Sequence, residues 1–405
     1  HVTNKKMTKR APKIALILTG GGARAAYQVG VLKAVRELLP QPQRNPFQIL
    51  CGTSAGAINA AVMAVWAENF GAGVDRLCRV WERFHAHQVY RTDVLGVAGS
   101  GARWLAALMF GWATHRAPRS LLDNSPLRQL LTESLDWDRI GQAIESQALH
   151  SVSITCSGYS SGQSVTFFQG RADLEPWQRS QRVGAHVKLN LDHLMASSAI
   201  PFVFPAVKVN REWFGDGSMR QSAPISPAIH LGADKVLVIG AGRLHEEHAR
   251  PRTATYPSLA QIAGHALSSI FLDSLSVDLE RLIRINHTIA LIPEAIRQQQ
   301  GTSLRPVEVL VVSPSERLDH LAARHAWTLP WPIRILLRGL GAMHPNGGAL
   351  ISYLLFERAY TCALIELGYR DTLSQREKII EFLAIEAIEP IEPTENASHP
   401  EGQSG

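Results

Sequence analysis

Three short stretches carry residue types and spacings suited to acyl-transfer chemistry. Gly52-Thr53-Ser54-Ala55-Gly56 is a G-x-S-x-G pentapeptide between an apolar run, residues 48–52, and an Ala-rich stretch, residues 55–68. In a strand–turn–helix setting the glycines Gly52 and Gly56 permit a tight, strained turn. The serine is then held at a sheet edge near the positive end of a helix dipole. The competing reading makes Ser54 an N-cap at a helix packed through small residues. Gly20-Gly21-Gly22-Ala23-Arg24 is the second stretch, again between an apolar run, residues 13–19, and a helical pattern. Consecutive glycine amides at a helix start make an anion-binding loop. Asp216 in Gly215-Asp216-Gly217-Ser218 is the third, and by itself it reads as a turn residue.

The glycine loop admits several chemistries. Gly20, Gly22 and Ala25 fit a G-x-G-x-x-A dinucleotide fingerprint. That fold needs an acid at the end of the second strand, and here that strand runs into Cys51-Gly52-Thr53-Ser54. No Gly-Lys-Ser/Thr follows, so a Walker loop is absent. An oxyanion hole, with the amides of Gly20, Gly21 and Gly22 facing a tetrahedral intermediate, is the better reading. Arg24 then steadies the loop or meets an acidic head group; the plainer alternative is a solvated arginine on the first helical turn.

Positioning these residues requires a layered α/β architecture. Residues 13–19 read as a buried parallel strand, 23–39 as a helix stopped by Pro40 and Pro42, 48–52 as a second strand and 55–68 as a buried helix. Strand–helix–strand order implies parallel pairing. Residues 71–150 read as helical and irregular, Ser151–Gly158 and residues 164–169 as strands joined by a Ser-Gly turn, and 191–198 as a helix. Residues 235–240 and 307–313 complete the sheet. The fold class expected from this rhythm is layered α/β with a mostly parallel central sheet, followed by a helical C-terminal region. The division expected is a flexible N-terminus over 1–12, with Met7 a candidate natural start and the residues before it foreign to it. A catalytic domain follows over 13–315 with a lid-like insertion at about 90–135, then a helical extension over 316–385 and an acidic, disordered tail over 386–405.

Composition narrows the classes further. In 405 residues, 45% are hydrophobic and 19% charged, which excludes a wholly disordered chain. Of 35 acidic residues, six lie from Glu381 onward, leaving 29 against 41 Lys and Arg in the body. A basic body favours anionic partners. No zinc finger, RNA-recognition signature or Gly-punctuated basic tract is present, so nucleic acid is not expected. Four widely spaced cysteines argue against a zinc module or a disulfide scaffold and for buried free thiols in a reducing, cytoplasmic setting. No segment reads as a membrane span.

The order Gly20-Gly21-Gly22-Ala23-Arg24, Gly52-Thr53-Ser54-Ala55-Gly56, Ala196-Ser197-Ser198-Ala199-Ile200-Pro201 and Asp216-Gly217-Ser218 resembles that of the patatin-like phospholipases. The resemblance implies a Ser54–Asp216 dyad without histidine. Ser54 would attack an ester carbonyl, Asp216 would take its proton, and the loop amides would hold the oxyanion. Water would then release an acyl-enzyme. It also implies a three-layer α/β/α sandwich with a mostly parallel central sheet, acting on phospholipids or other acyl-ester lipids. No metal motif appears in the sequence, so neither a metal nor another cofactor is expected. Gly52, Gly56, Gly217 and Arg24 support the site. Ala25 and Ser218 depart from the family's usual glycine, and Gly or Ala, at those places, and both are small.

Three rivals stand beside this reading. A Ser-His-Asp triad would draw on His230, His245, His248, His265 or His287. An acyltransferase would discharge the same acyl-enzyme to an alcohol or thiol. A lipid- or nucleotide-binding module would use the glycine loop without chemistry. Two apolar segments are lipid candidates. Residues 104–112 are a lid or acyl-chain wall, or a core helix. Residues 327–340 place Ile333, Leu336, Leu337 and Leu340 on one helical face beside Arg334 and Arg338, with Trp327 and Trp331 at the start. Such a helix suits peripheral contact with an anionic membrane, or packs on the core with solvated arginines.

Overall fold

The computed structural model describes residues 11–114, 120–243, 256–299, 304–343 and 347–384, without the side chains of residues 104, 105, 107–114 and 298. Residues 1–10 of the expected N-terminus and the tail expected over 386–405 lie outside the described residues.

Short apolar runs ended by glycine or polar residues form the sheet. Its strands are β1 (Ile14–Leu18), β2 (Ile49–Thr53), β3 (Ser151–Gly158), β4 (Ser164–Gly170), β5 (Trp177–Arg179), β6 (Arg182–His186), β7 (Val207–Val209), β8 (Glu212–Asp216), β9 (Lys235–Ile239) and β10 (Glu308–Val312). They lie in the order β10-β9-β1-β2-β3-β4-β6-β5, with β8 pairing β3 and β7 pairing β8. The five strands from β10 to β3 are parallel, as is the β4–β6 pair. The sheet as a whole is mixed, because β3 turns directly back into β4 and a connection that short permits only antiparallel pairing. The same holds for β5–β6 and β7–β8.

Helices cover both faces. Alternation along β1 turns Ile14, Leu16 and Leu18 toward one core and Ala15 and Ile17 toward the other. The first core lies under α1 (Ala26–Leu38), α2 (Ala55–Val65) and α3 (Phe70–Trp81). Further along the chain come α4 (Val94–Thr114), α5 (Ser125–Ser134), α6 (Asp138–Glu145) and α7 (Leu191–Ser197). The second core is closed by α8 (Ser226–His230) and α10 (Ser274–Ala290), with α9 (Leu259–Ser268) preceding the latter. This is the α/β/α layering expected.

Two boundaries differ from expectation for local reasons. The first helix does not start at Ala23. Gly22 has φ 54°, and a tight 3-10 turn over Gly22–Ala25 precedes α1. The second helix stops at Val65, where Trp66 leaves helical geometry.

The C-terminal helices belong to the same helical layer. The helix Arg358–Leu373 packs lengthwise on α1. Gly30 and Gly368 allow the approach, since a side chain at either would strike Ile365 O or Tyr27 O. The Tyr27 hydroxyl donates to Asp371 Oδ2 at 3.0 Å. Cys51, Cys78 and Cys156 are buried free thiols, and Cys362 is half-buried. Among the described residues no single helix is long and apolar enough to cross a membrane.

Candidate active site

The register of β3 brings Ser54 and Asp216 together. β2 runs along one edge of β3 as far as the Thr53–Thr155 pair, and Ser54 turns off into α2. β8 arrives on β3 from the opposite direction and ends at the Cys156–Asp216 pair. Thr155 and Cys156 are adjacent, so the ends of the two strands abut. Ser54 sits at φ 56° and ψ −131°, outside the left-handed helical well and in a region that residues with a side chain rarely occupy. Its amide donates to Ser197 Oγ at 2.9 Å, and Ser197 Oγ donates to Thr155 O at 2.6 Å. A hydroxyl from α7 thus ties the strained turn to the strand beneath it. Ser197 lies in the motif Ala196-Ser197-Ser198-Ala199-Ile200-Pro201, and its sequence context assigns it no task.

Both side chains are out of water, with Ser54 1% and Asp216 0% exposed. Burial pushes the Asp216 carboxyl up to about 6, against the Ser54 hydroxyl and the Ser218 amide, which favour the charged form. Asp216 Oδ1 accepts from Ser218 N at 2.9 Å. Oδ2 is buried and makes no hydrogen bond of good geometry, although the Ser54 hydroxyl is near enough to stabilise the charge. The carboxylate therefore has one anchored oxygen and one left to receive a proton. Gly217 passes under Thr155 O so closely that a side chain there would collide.

The glycine loop follows β1 and borders the same site. Leu18 pairs with Gly52, so residues 20–22 project past the carboxyl end of the sheet beside Ser54. The ends of parallel strands are where such sheets bind ligands. Gly56 lies against Leu18 O and Gly52 against α2, contacts that leave no room for a Cβ. Among the described residues, the amides of Gly20 and Gly21 donate to no protein acceptor. Arg24 is not the solvated residue of the plainer reading. It is buried, donates through Nε to Ser352 Oγ at 2.8 Å, and its Cζ lies 4.1 Å from the centre of the Tyr353 ring.

A narrow apolar cavity begins at Gly22 and Ser54. Its walls are Ile58 and Val62 of α2, Leu77 and Trp81 of α3, Leu131 of α5, and Phe204. None of these was singled out from sequence; their apolar spacing reads simply as core. The wall expected at residues 104–112 falls in α4, but most of its side chains lie outside the described residues.

The face of Ile333, Leu336, Leu337 and Leu340 packs on the core, with Ile333 and Leu337 fully buried. It is not open to a membrane, because apolar area at that spacing is taken up by neighbouring helices. Exposed instead are Trp327, Trp331 and Ile335. Of the histidines proposed for a triad, His230 bonds Ser226 within α8, and His265 and His287 are exposed. His245 and His248 lie outside the described residues. Among the described residues, no group of three or more His, Cys, Asp or Glu has the arrangement of a metal site.

The carboxyl end of the sheet thus brings together a strained serine turn, a glycine loop and a buried aspartate. The family model for patatin-like phospholipases matches residues 16–229, just over half of the 405 residues, and the chain belongs to that family. Among curated relatives, a cGAMP-activated phospholipase of Pseudomonas aeruginosa is 27% identical over 217 residues, 52% of this chain and 53% of that protein. A cUMP-AMP-activated phospholipase of Escherichia coli is 45% identical over 53 residues, 13% of this chain and 17% of that protein. The chain thus spans about half the length of the first relative and less of the second. In structure it aligns with VipD from Legionella pneumophila over 88% of this chain and 67% of that one, at 12% identity and a TM-score of 0.32.

Proposed function

We propose that this chain is a lipid acyl hydrolase that cleaves phospholipid esters through an acyl-enzyme on Ser54. The observation that carries the reading is the buried Asp216 carboxylate, with one oxygen free, beside a serine in a strained turn at the end of an apolar cavity. The fatty acyl chain lies in the cavity. Ser54 Oγ attacks the ester carbonyl carbon, and its proton passes to Asp216 Oδ2. The oxyanion is held by the loop amides of Gly20, Gly21 and Gly22, which have no protein acceptors to give up for Gly20 and Gly21. Collapse breaks the ester bond, and the leaving alcohol takes the proton from Asp216. Water then attacks the acyl-enzyme with Asp216 as base and frees the fatty acid. Electrostatic stabilisation by such donors supplies about 3 kcal/mol per hydrogen bond.

The names of the two relatives also motivate nucleotide activation of this chain. The basic body noted above favours such an anionic ligand. Contact with lipid aggregates is assigned to Trp327, Trp331 and Ile335, which are exposed beside Arg338. The test is fatty-acid release from phosphatidylcholine vesicles by wild type and by Ser54→Ala, with and without added cGAMP or cUMP-AMP. Release that needs Ser54 supports the reading. Release of equal size from the Ser54→Ala chain would refute it.

A further inference from the structure

Arg24 is a buried cation without an acidic partner among the described residues. Only 4% of its surface is exposed, and its contacts are a serine hydroxyl and the Tyr353 ring. It forms no ion pair with any described carboxylate. Arginine is almost never buried to this degree unless paired, because desolvating a charge is costly. Arg24 lines a second cavity of about 1690 Å³, its open mouth included, which shares no lining residue with the acyl cavity. Arg243, His265, Gln261 and Ser269 also line it. Arg243 has no ion pair among the described residues. Two acids are present. Asp319 is taken by Arg317, whose Nη2 lies 2.7 Å away, and Asp273 sits on the exposed rim. The cavity thus offers two guanidinium groups that form no ion pair among the described residues, with hydroxyls and an amide, the donor set that fits a phosphate dianion.

A second observation falls in the same wall. Between α9 and α10 the helix widens into a π-turn over Ser269–Asp273, a distortion frequent at functional sites. It turns Phe271 against Gly20, where a side chain on the glycine would strike the ring at 2.9 Å, and against Tyr353 with ring centres 5.1 Å apart. Gly242 lines the cavity, and its neighbour Ala241 packs on Gly21. The cavity therefore reaches the glycine loop through Arg24, which lines it, and through Phe271 and Ala241, whose chain neighbours Leu272 and Gly242 line it.

We propose that this cavity is a binding site for a phosphate-bearing ligand seated on Arg24 and Arg243, and that its occupancy sets the geometry of the glycine loop. The coupling rests on the reading of the loop as an oxyanion hole; the binding does not. The experiment is calorimetric titration of the full chain, carrying Ser54→Ala to silence hydrolysis, with inorganic pyrophosphate. Arg24→Lys and Arg243→Gln are compared, each checked for an unchanged circular-dichroism spectrum and melt. Saturable binding is expected, weakened about tenfold by Arg243→Gln and at least as much by Arg24→Lys, which keeps the charge and loses the fork. Competition by phosphatidylglycerol vesicles, sensitive to the same two variants, would identify the source of the phosphate as a lipid head group. Binding of pyrophosphate without such competition would identify a soluble ligand. No saturable binding of either probe to the folded chain, or binding unmoved by both variants, overturns the proposal. Fluorophosphonate labelling of wild type with and without pyrophosphate reads the coupling, and a several-fold change in rate is expected. An unchanged rate would remove the coupling and leave the site. Absence of labelling with intact pyrophosphate binding would count against the hydrolase reading alone.

Discussion

Ser54 is held at φ 56° by its neighbours, a conformation that costs about 1–3 kcal/mol in a residue with a side chain. Glycine reaches that region freely. Ser54→Gly is therefore expected to end hydrolysis while raising the melting temperature, the signature of strain kept for function. Ser54→Ala keeps the strain and should end hydrolysis with no gain in stability. Asp216 gives a pH dependence of definite sign. As a base it must be ionised, so hydrolysis should rise with pH through about 6 and level off above it. Its effect on stability runs the other way. A carboxyl raised from 3.8 to about 6 on folding favours the protonated native state. That contribution is whole below about pH 4 and is lost as pH rises through about 6, a change of about 3 kcal/mol. Chemical denaturation of wild type and Asp216→Asn across pH 4–8 checks it, and the asparagine variant should lose this part of the slope. The positions of Ser54, Asp216 and the glycine loop were legible from motif order. Ser197 was not, because its bond to the Ser54 amide depends on where α7 lands on β3.

At the scale of elements, the cavity beside Ser54 is a gap between α2, α3 and α5. Leu131→Trp on α5 should fill it. Hydrolysis of long-chain esters is expected to fall at least tenfold relative to short-chain ones, since one methylene in an apolar pocket is worth about 1–3 kcal/mol. Equal loss on both chain lengths would mean that the acyl group lies elsewhere. The helix Trp331–Gly339 separates two faces, one buried at Ile333 and Leu337 and one exposed at Trp331 and Ile335. Trp331→Ala with Ile335→Ser should reduce sedimentation with anionic vesicles and leave hydrolysis of a water-soluble ester unchanged. Apolar spacing revealed that this helix was amphipathic. It did not reveal which side the core would claim, because that depends on helices far away in sequence. The short strands β5 to β8 escaped notice for a related reason: three to five residues of mixed polarity carry little periodicity, and their pairing supplies what their composition does not.

Across the whole molecule, the glycine loop is braced by the chain's far end. Ser352 and Tyr353 hold Arg24, and Asp371 accepts from Tyr27 on α1 and from Ser315 N and Oγ at 2.9 and 2.6 Å. Asp371→Ala leaves three donors without their acceptor and should cost about 3 kcal/mol, read in urea unfolding. The layered fold was legible from the strand–helix rhythm of the first sixty residues. The brace was not, since nothing in residues 348–373 names α1 as a partner.

The central claim is that Ser54 is a nucleophile activated by Asp216. The direct measurement is covalent labelling by a fluorophosphonate, located by peptide mass in wild type, Ser54→Ala and Asp216→Asn. The account predicts a label on Ser54 that is absent in the first variant and much slower in the second. A label on another residue, or one on Ser54 at an undiminished rate in Asp216→Asn, would contradict it.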